Sequence, residues 1–299
     1  MQIKKFALQK YTILFVINSI SGGKKKLSLP AVIEANLDKN KFSATFSFTN
    51  VAGHATRIAQ DAISKDIDII VAVGGDGTIN EIAQELLGTD KILGIIPLGS
   101  GNGLARALHI PMNTKKAIAV INKLDTKLID AAKLNQKYFL NMAGIGFDAH
   151  VSAVFAGSKS RGLKGYLKMG LKEVLSYHPQ KYELNIDGKI YEREAFVISI
   201  ANSTQYGNNF HISPNSSLTD GFLEICIVKP LPLYKLLILA LQMLCSTTHR
   251  SKMVEIISGQ HIQIKREAAA VVHLDGEPVE MNNFIEIDII PLALKIITN

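Results

Sequence analysis

Along the first ~125 residues, short apolar runs alternate with stretches whose apolar positions recur every three or four residues. Tyr11–Ile17, Ala44–Phe48, Ile67–Val73 and Ile92–Ile96 are runs of strand length, rich in β-branched or alternating apolar residues. Between them, Pro30–Leu37 and Gly53–Ser64 carry helical periodicity, and Ile79–Leu87 places apolar side chains at 79, 82, 83, 86 and 87. Such alternation predicts a doubly wound α/β domain, a parallel sheet with helices on both faces. Ile67–Val73 and Ile92–Ile96 have the nearly unbroken apolar character of strands buried on both sides.

From about residue 128 the rhythm changes. Leu128–Leu134, Tyr138–Ala143, Tyr182–Ile186, Ala195–Ala201, Phe222–Val228, His261–Lys265 and Ala270–Leu274 read as strands. Turn signals such as Asp187-Gly188 separate some of them. This predicts a mostly antiparallel β-sandwich domain with helical insertions near Leu163–Tyr177 and Tyr234–Leu244. The expected division is residues 1–127 for the α/β domain and 128–287 for the β-rich domain. The tail, 288–299, is expected to return to the first.

Bulk properties narrow the function classes. The chain has 299 residues, 47% hydrophobic and 20% charged, enough to build sizeable cores. Two cysteines, Cys226 and Cys245, cannot make a disulfide framework and fit a reducing cytoplasm. The apolar run Ile13–Ile17 is too short for a signal peptide and lacks a small-residue cleavage site. Leu231–Leu244 is shorter than the ~20 residues a membrane span needs and contains Pro232, Lys235 and Gln242. A buried or membrane-facing helix fits it better. The net charge of +7 would suit an anionic partner, but basic and aromatic residues are not interleaved and tryptophan is absent, which disfavours nucleic acid.

Three loops follow the predicted strands at one edge of the sheet, where ligands of such folds bind. The most informative follows Ile69–Val73: Gly74-Gly75-Asp76-Gly77-Thr78-Ile79-Asn80-Glu81. Its glycines let backbone N–H groups approach an anion, and the following helix turns its positive end to the same point. Asp76 within it suggests a magnesium-bridged nucleotide. The second loop, Gly99-Ser100-Gly101-Asn102-Gly103, also follows a buried strand, with Asn102 as a candidate helix cap. The third, Asn18-Ser19-Ile20-Ser21-Gly22-Gly23-Lys24, could serve adenine, ribose or phosphate, or be a plain surface loop. Neither a Walker A spacing nor the dinucleotide-binding glycine pattern is present.

In the β-rich half, Leu274-Asp275-Gly276-Glu277 delivers two carboxylates into a turn. Phosphoryl transfer to an alcohol needs a carboxylate to accept the hydroxyl proton, and Asp-Gly is equally a common hairpin signal. The polar stretch from Asn202 to Gly221 holds oxygen-bearing side chains suited to a hard cation, or is a mobile surface loop.

Together, the Asn18–Gly22 loop, Gly53-His54-Ala55, GGDGTxNE, PLGSGN, Asp220-Gly221 and LDGE resemble the diacylglycerol kinase catalytic family, in the same order and with similar spacing. This family of lipid kinases includes bacterial diacylglycerol kinases, sphingosine kinases and ceramide kinases. The resemblance covers nearly the whole chain and implies ATP and Mg2+ as cofactors. It implies nucleotide contacts from Asn18, Ser21, Gly22, Thr49, Gly74, Gly75, Asp76, Gly77, Thr78, Asn80, Glu81, Gly99, Ser100, Gly101 and Asn102. It assigns catalysis to Asp275 and Glu277, one of them the general base, with Asp76. It assigns a metal site to Asp220 with oxygens of Ser217 and Phe222.

The implied acceptor is a membrane lipid entering between the domains, diacylglycerol by default. Ser100-Gly101-Asn102-Gly103 stands where bacterial members often have Thr-Gly-Asn-Asp and is nearer the sphingosine-kinase pattern, so a sphingoid base or other lipid alcohol is the alternative. A soluble-substrate kinase akin to NAD kinases and a non-catalytic sensor are the other readings. The implied partner is an anionic membrane, contacted reversibly from the cytoplasm. A homodimer is left open, as is a biosynthetic or signalling role.

Overall fold

The computed structural model describes residues 10–19, 28–157 and 169–299. Ser21, Gly22 and Lys24 of the first loop, and 163–168 of the first helical insertion, lie outside the described residues. Four parallel strands open the fold: β1 (Tyr11–Asn18), β2 (Phe42–Thr49), β3 (Ile69–Gly74) and β4 (Ile92–Pro97), in the order β2-β1-β3-β4. β3 and β4 are buried at every position, which their apolar runs require. Helices α1 (Leu29–Asn36), α2 (His54–Ser64), α3 (Asp76–Leu86), α4 (Gly103–Ala107) and α5 (Thr114–Lys123) accompany this sheet. Ile33, Ala59, Ile82 and Ile118 join its core.

The remaining strands are β5 (Thr126–Leu134), β6 (Lys137–Phe139), β7 (Met142–Gly146), β8 (Gln180–Ile186), β9 (Lys189–Ala195), β10 (Val197–Ala201), β11 (Leu223–Val228), β12 (Val254–Gly259), β13 (His261–Arg266), β14 (Ala270–Leu274), β15 (Glu277–Met281) and β16 (Phe284–Ile297). An antiparallel sheet runs β12-β11-β10-β7-β14-β15. It faces β5, β8, β13 and β16 across a second core that includes Ile145, Ile200, Ile225, Ile264 and Ile287. A third, smaller cluster covers its other side and includes Phe196, Val228 and Leu239 of helix α7 (Leu233–Leu244). Helix α6 (Phe147–Ala156) follows β7. The architecture is thus α/β with a mostly parallel N-terminal sheet and an antiparallel, sandwich-like C-terminal part.

β16 joins the halves. It pairs antiparallel with β13 and β5, and its end, Lys295–Ile296, pairs parallel with β4 at Ile92–Leu93. A register shift between Ile290 and Leu294 allows one strand to serve these partners. Only Ala293–Ile297 of this strand stood out as an apolar segment, because 284–292 mixes in Glu286, Asp288 and Pro291.

Other departures have physical causes. The single strand expected over Tyr138–Ala143 is broken at Leu140–Asn141, because three successive backbone N–H groups turn toward the Asp275 carboxylate. The helix expected from Ile79 begins at Asp76, with Gly75 as its cap. β9, β12 and β15 escape the apolar pattern. β9, KIYEREA, is mostly charged or polar and lies at the sheet edge, where solvent accepts such side chains. No described helix is long and apolar enough to cross a membrane.

Candidate active site

The carboxyl ends of β1 to β4 bring the loops together. Asn18 and Thr49 are register partners, as are Gly74 and Pro97. Leu98 N–H donates to Gly74 O at 2.7 Å, drawing the second glycine loop onto the first. The two loops touch at their glycines: a Cβ on Gly99 would lie 2.6 Å from the Gly75 Cα. Only residues without side chains allow this approach.

The first two turns of α3 act as a hub. Asp76 accepts Asn102 N–H and Gly103 N–H, both at 2.8 Å, fixing the second loop. Thr78 Oγ1 accepts from Asn18 Nδ2 at 2.9 Å. Asn80 Nδ2 donates to Asp275 Oδ2 at 2.6 Å. Glu81 accepts Gly53 N–H at 2.9 Å and Ala55 N–H at 3.0 Å, which ties Gly53-His54-Ala55 to the same helix. Four polar residues of one short string therefore hold four separate segments. Asn102, in the left-handed conformation, also accepts from Gly99 N–H and donates to Gly99 O, closing its loop on itself. Ser100 is exposed beside it, and Thr49 is buried, its carbonyl accepting from Ser19 Oγ.

The second half contributes the Asp275-Gly276 turn between β14 and β15. Both residues have positive φ, 50° and 89°, as a two-residue hairpin loop of type I′ requires. Asp275 is saturated. Oδ2 accepts from Asn80 and Leu140 N–H, and Oδ1 from Asn141 and Met142 N–H, at 2.6 to 2.9 Å. Glu277, two residues on, has no hydrogen-bond partner among the described residues and stands over the start of α3. A Cβ on Gly77 would lie 2.5 Å from its Oε1.

Negative charge is crowded here. Burial, then the Asp275 charge, pushes Asp76 up to about 6 despite the N–H groups it accepts. Glu277 is raised by burial and by the charges of Glu81 and Asp275, against the pull of Lys137. A cavity of about 10 Å³, roughly one water in size, lies between Asp76 and Asp275.

Beneath the turn runs a buried network that the sequence did not single out. His273 (3% exposed) places Nε2 3.1 Å from Asp148 Oδ2, while its Nδ1 accepts Gly276 N–H at 3.4 Å. Tyr206 O–H donates to the same Asp148 oxygen at 3.1 Å, and Ser199 Oγ bonds Tyr206 Oη. Burial and the Asp148 charge hold the Tyr206 phenol well above its ordinary value. Asn141 Nδ2 donates to Gln205 O, and Asn202 Nδ2 to Leu140 O, so the polar stretch after residue 201 is tied beneath the turn in its first part. A histidine two positions before a paired-carboxylate turn was the available signal.

Ser217, Asp220 and Phe222 sit on the loop before β11. No hydrogen bond joins them to the glycine loops among the described residues. Asp220 Oδ1 accepts Phe222 N–H at 3.1 Å, and Ser217 Oγ meets Thr219. The buried acid beside them is Asp130, whose oxygens accept Gly221 N–H at 2.8 Å and Leu292 N–H at 2.7 Å. Among the described residues no three His, Cys, Asp or Glu side chains cluster as a metal centre. The Asp220 loop offers one carboxylate with hydroxyl and carbonyl oxygens, a donor set that suits Mg2+ in its chemistry.

Apposed glycine loops on a parallel sheet, reached by a carboxylate turn from an antiparallel half, define a two-part α/β chain with its candidate site where they meet. The profile of the Diacylglycerol kinase catalytic domain matches residues 12–134, and that of the YegS C-terminal NAD kinase beta sandwich-like domain matches 141–298. The chain is 32% identical over 237 residues to the diacylglycerol kinase of Bacillus subtilis (strain 168), covering 77% of each. It is 30% identical over 293 residues to the probable lipid kinase YegS-like of Enterobacter sp. (strain 638), covering 94% of each. A crystal structure from Bacillus anthracis str. Sterne, described as a candidate diacylglycerol kinase, superposes with a TM-score of 0.81 at 25% identity, over 100% of this chain and 99% of that one. The chain belongs to the diacylglycerol kinase and YegS-like lipid kinase family.

Proposed function

We propose that this chain is an ATP- and Mg2+-dependent kinase that phosphorylates the hydroxyl of a membrane lipid, with diacylglycerol as the default acceptor. The observation that carries the reading is Glu277, free of hydrogen bonds to described residues and held over Gly77 at the start of α3. ATP would supply the γ-phosphoryl group, and Mg2+ would offset the charge on its oxygens.

The glycines of both loops and the N-terminus of α3 form an anion cradle that a Cβ on Gly75, Gly77 or Gly99 would narrow. That supports phosphate binding there, with Asn18, Thr49 and Ser100 near the same edge. Asp76 keeps the two loops in register through Asn102 and Gly103. Asp275 is an anchor, its four accepted bonds leaving no lone pair aimed at a substrate. Glu277 is therefore the general base. Its raised pKa makes it a stronger proton acceptor than an ordinary glutamate. If Mg2+ rests in part on the Asp220 loop, Asp220 and oxygens of Ser217 and Phe222 would hold it.

The test is a radiolabelled ATP assay with Mg2+ against mixed micelles of diacylglycerol, sphingosine, ceramide and monoacylglycerol. Wild type runs beside Glu277→Gln. Label in one lipid, lost in the variant, is expected. Label in none, with ATP still bound, overturns the reading.

A further inference from the structure

Helix α7 is apolar toward the protein and toward the outside. Inward it buries Leu239 in the third cluster. Outward it presents Leu233, Tyr234, Leu237, Ile238, Leu241 and Leu244, each 44% to 62% exposed. Their spacing gathers them into one stripe about 17 Å long. A helix facing only water carries polar residues there, and a continuous apolar patch marks an interaction surface. The patch continues past the helix: Leu175, 77% exposed, lines a cavity of about 190 Å³ with Leu233, Leu236 and Phe196.

The charge along the chain segment that carries α7 has one sign. Between Glu224 and Glu255 the sequence contains Lys229, Lys235, Arg250 and Lys252 and no carboxylate. All four are exposed, Lys229 before the helix, Lys235 in its first turn, and Arg250 and Lys252 after it. The acids at the borders are engaged elsewhere, Glu224 by Ser258 and Glu255 by Arg193. Glu173, two residues before Leu175, pairs with His150.

We infer that the outer face of α7, with Leu175, is the surface by which this protein docks on an anionic lipid bilayer. An apolar stripe flanked by cations is the composition of an interfacial helix: leucines enter the acyl boundary and basic side chains meet lipid phosphates. The inference rests on the lipid-kinase reading for its purpose. The site connects to this surface through β7, whose Met142 N–H holds Asp275 and whose Gly146 packs on Phe196 O. Four residues of extended strand separate those points, about 13 Å.

The experiment is vesicle sedimentation with the full chain, using phosphatidylcholine alone or mixed with phosphatidylglycerol, at low and raised salt. Wild type is expected to bind the anionic vesicles and to release as salt rises. Leu237→Glu together with Leu241→Glu should weaken binding by about tenfold or more. Ile190→Glu, at a still more exposed apolar position on β9, should not. Equal binding by wild type and the double variant overturns the inference. So does a wild-type dimer that the double variant splits without any vesicle binding, since a second copy would then own the face. Turnover of a short-chain, water-soluble diacylglycerol is measured in parallel and should be equal in both proteins. Vesicle binding as expected with no turnover in either would remove the kinase reading and leave the docking face standing.

Discussion

Glu277 Oε1 occupies the space above Gly77 that a side chain at 77 would need. The conflict would fall on the end of a flexible carboxylate, so Gly77→Ala should fold with a Tm near wild type while moving Glu277 aside. Its kcat is expected to fall steeply. Glu277→Gln, which keeps the shape and loses the proton acceptor, should lower kcat by about 10²–10⁴-fold with little change in the KM for ATP. Steady-state kinetics of both variants check this. An effect confined to KM would assign Glu277 to binding alone.

The acid limb of the pH profile should reflect the crowded carboxylates. A base must be ionised, so kcat is expected to rise with pH, with a midpoint above that of an ordinary glutamate because the Glu277 pKa is raised. Asp76 gives a stability signature of definite sign. Its folded value of about 6 lies above the ordinary aspartate value of 3.8, so the folded state binds more protons in between. The stability this group contributes therefore falls as pH rises from 3.8 to about 6 and is level above. The Tm of wild type minus that of Asp76→Ala should decline across that window. A difference that grows with pH would contradict the assignment.

Gly99→Ala meets backbone, the Gly75 Cα at 2.6 Å, and the Asn102 side chain at 2.7 Å, so the loops must separate. Calorimetry with ATP is expected to show binding lost or weakened by more than tenfold. An alanine at Gly88, where a Cβ meets nothing within 4 Å, serves as a control for handling a glycine replacement, though its φ of 71° will cost some stability.

Asp130 is fully buried and bonds the backbone of Gly221 and Leu292, segments far apart in sequence. Asp130→Ala would strand both N–H groups, at about 1–3 kcal/mol each. Chemical denaturation should report that loss. Mg2+ dependence separates this structural role from a metal role: Asp220→Ala should raise the Mg2+ concentration needed for turnover and leave stability nearly unchanged.

The parallel strands were legible because burial on both faces leaves an almost unbroken apolar run, as in Ile69–Val73. The glycine loops were legible because a close backbone approach excludes side chains, and Gly75 and Gly99 do touch. The partners of the polar residues were not. Glu81 reads as a ligand for a nucleotide, and the sequence gives no sign that its carboxylate also bonds Gly53 and Ala55, a contact set by how α3 packs on α2. Asp275 and Glu277 look equivalent in sequence. The break at Leu140–Asn141, invisible in an apolar run, is what turns three N–H groups onto one of them and leaves the other open. Asp130 carries no sequence signal, because a single buried polar residue has no pattern to announce it, and His273 is marked only by its place two positions before the turn.

β16 lies between β4 and β13, yet it is made more than 180 residues after β4. During synthesis the edge of β4 therefore waits unpaired while more than 180 residues emerge, an apolar strand with open backbone groups and a template for wrong partners. The opening sheet is completed by a strand far along the chain. Cutting away β16 should thus damage the opening sheet as well as the sandwich.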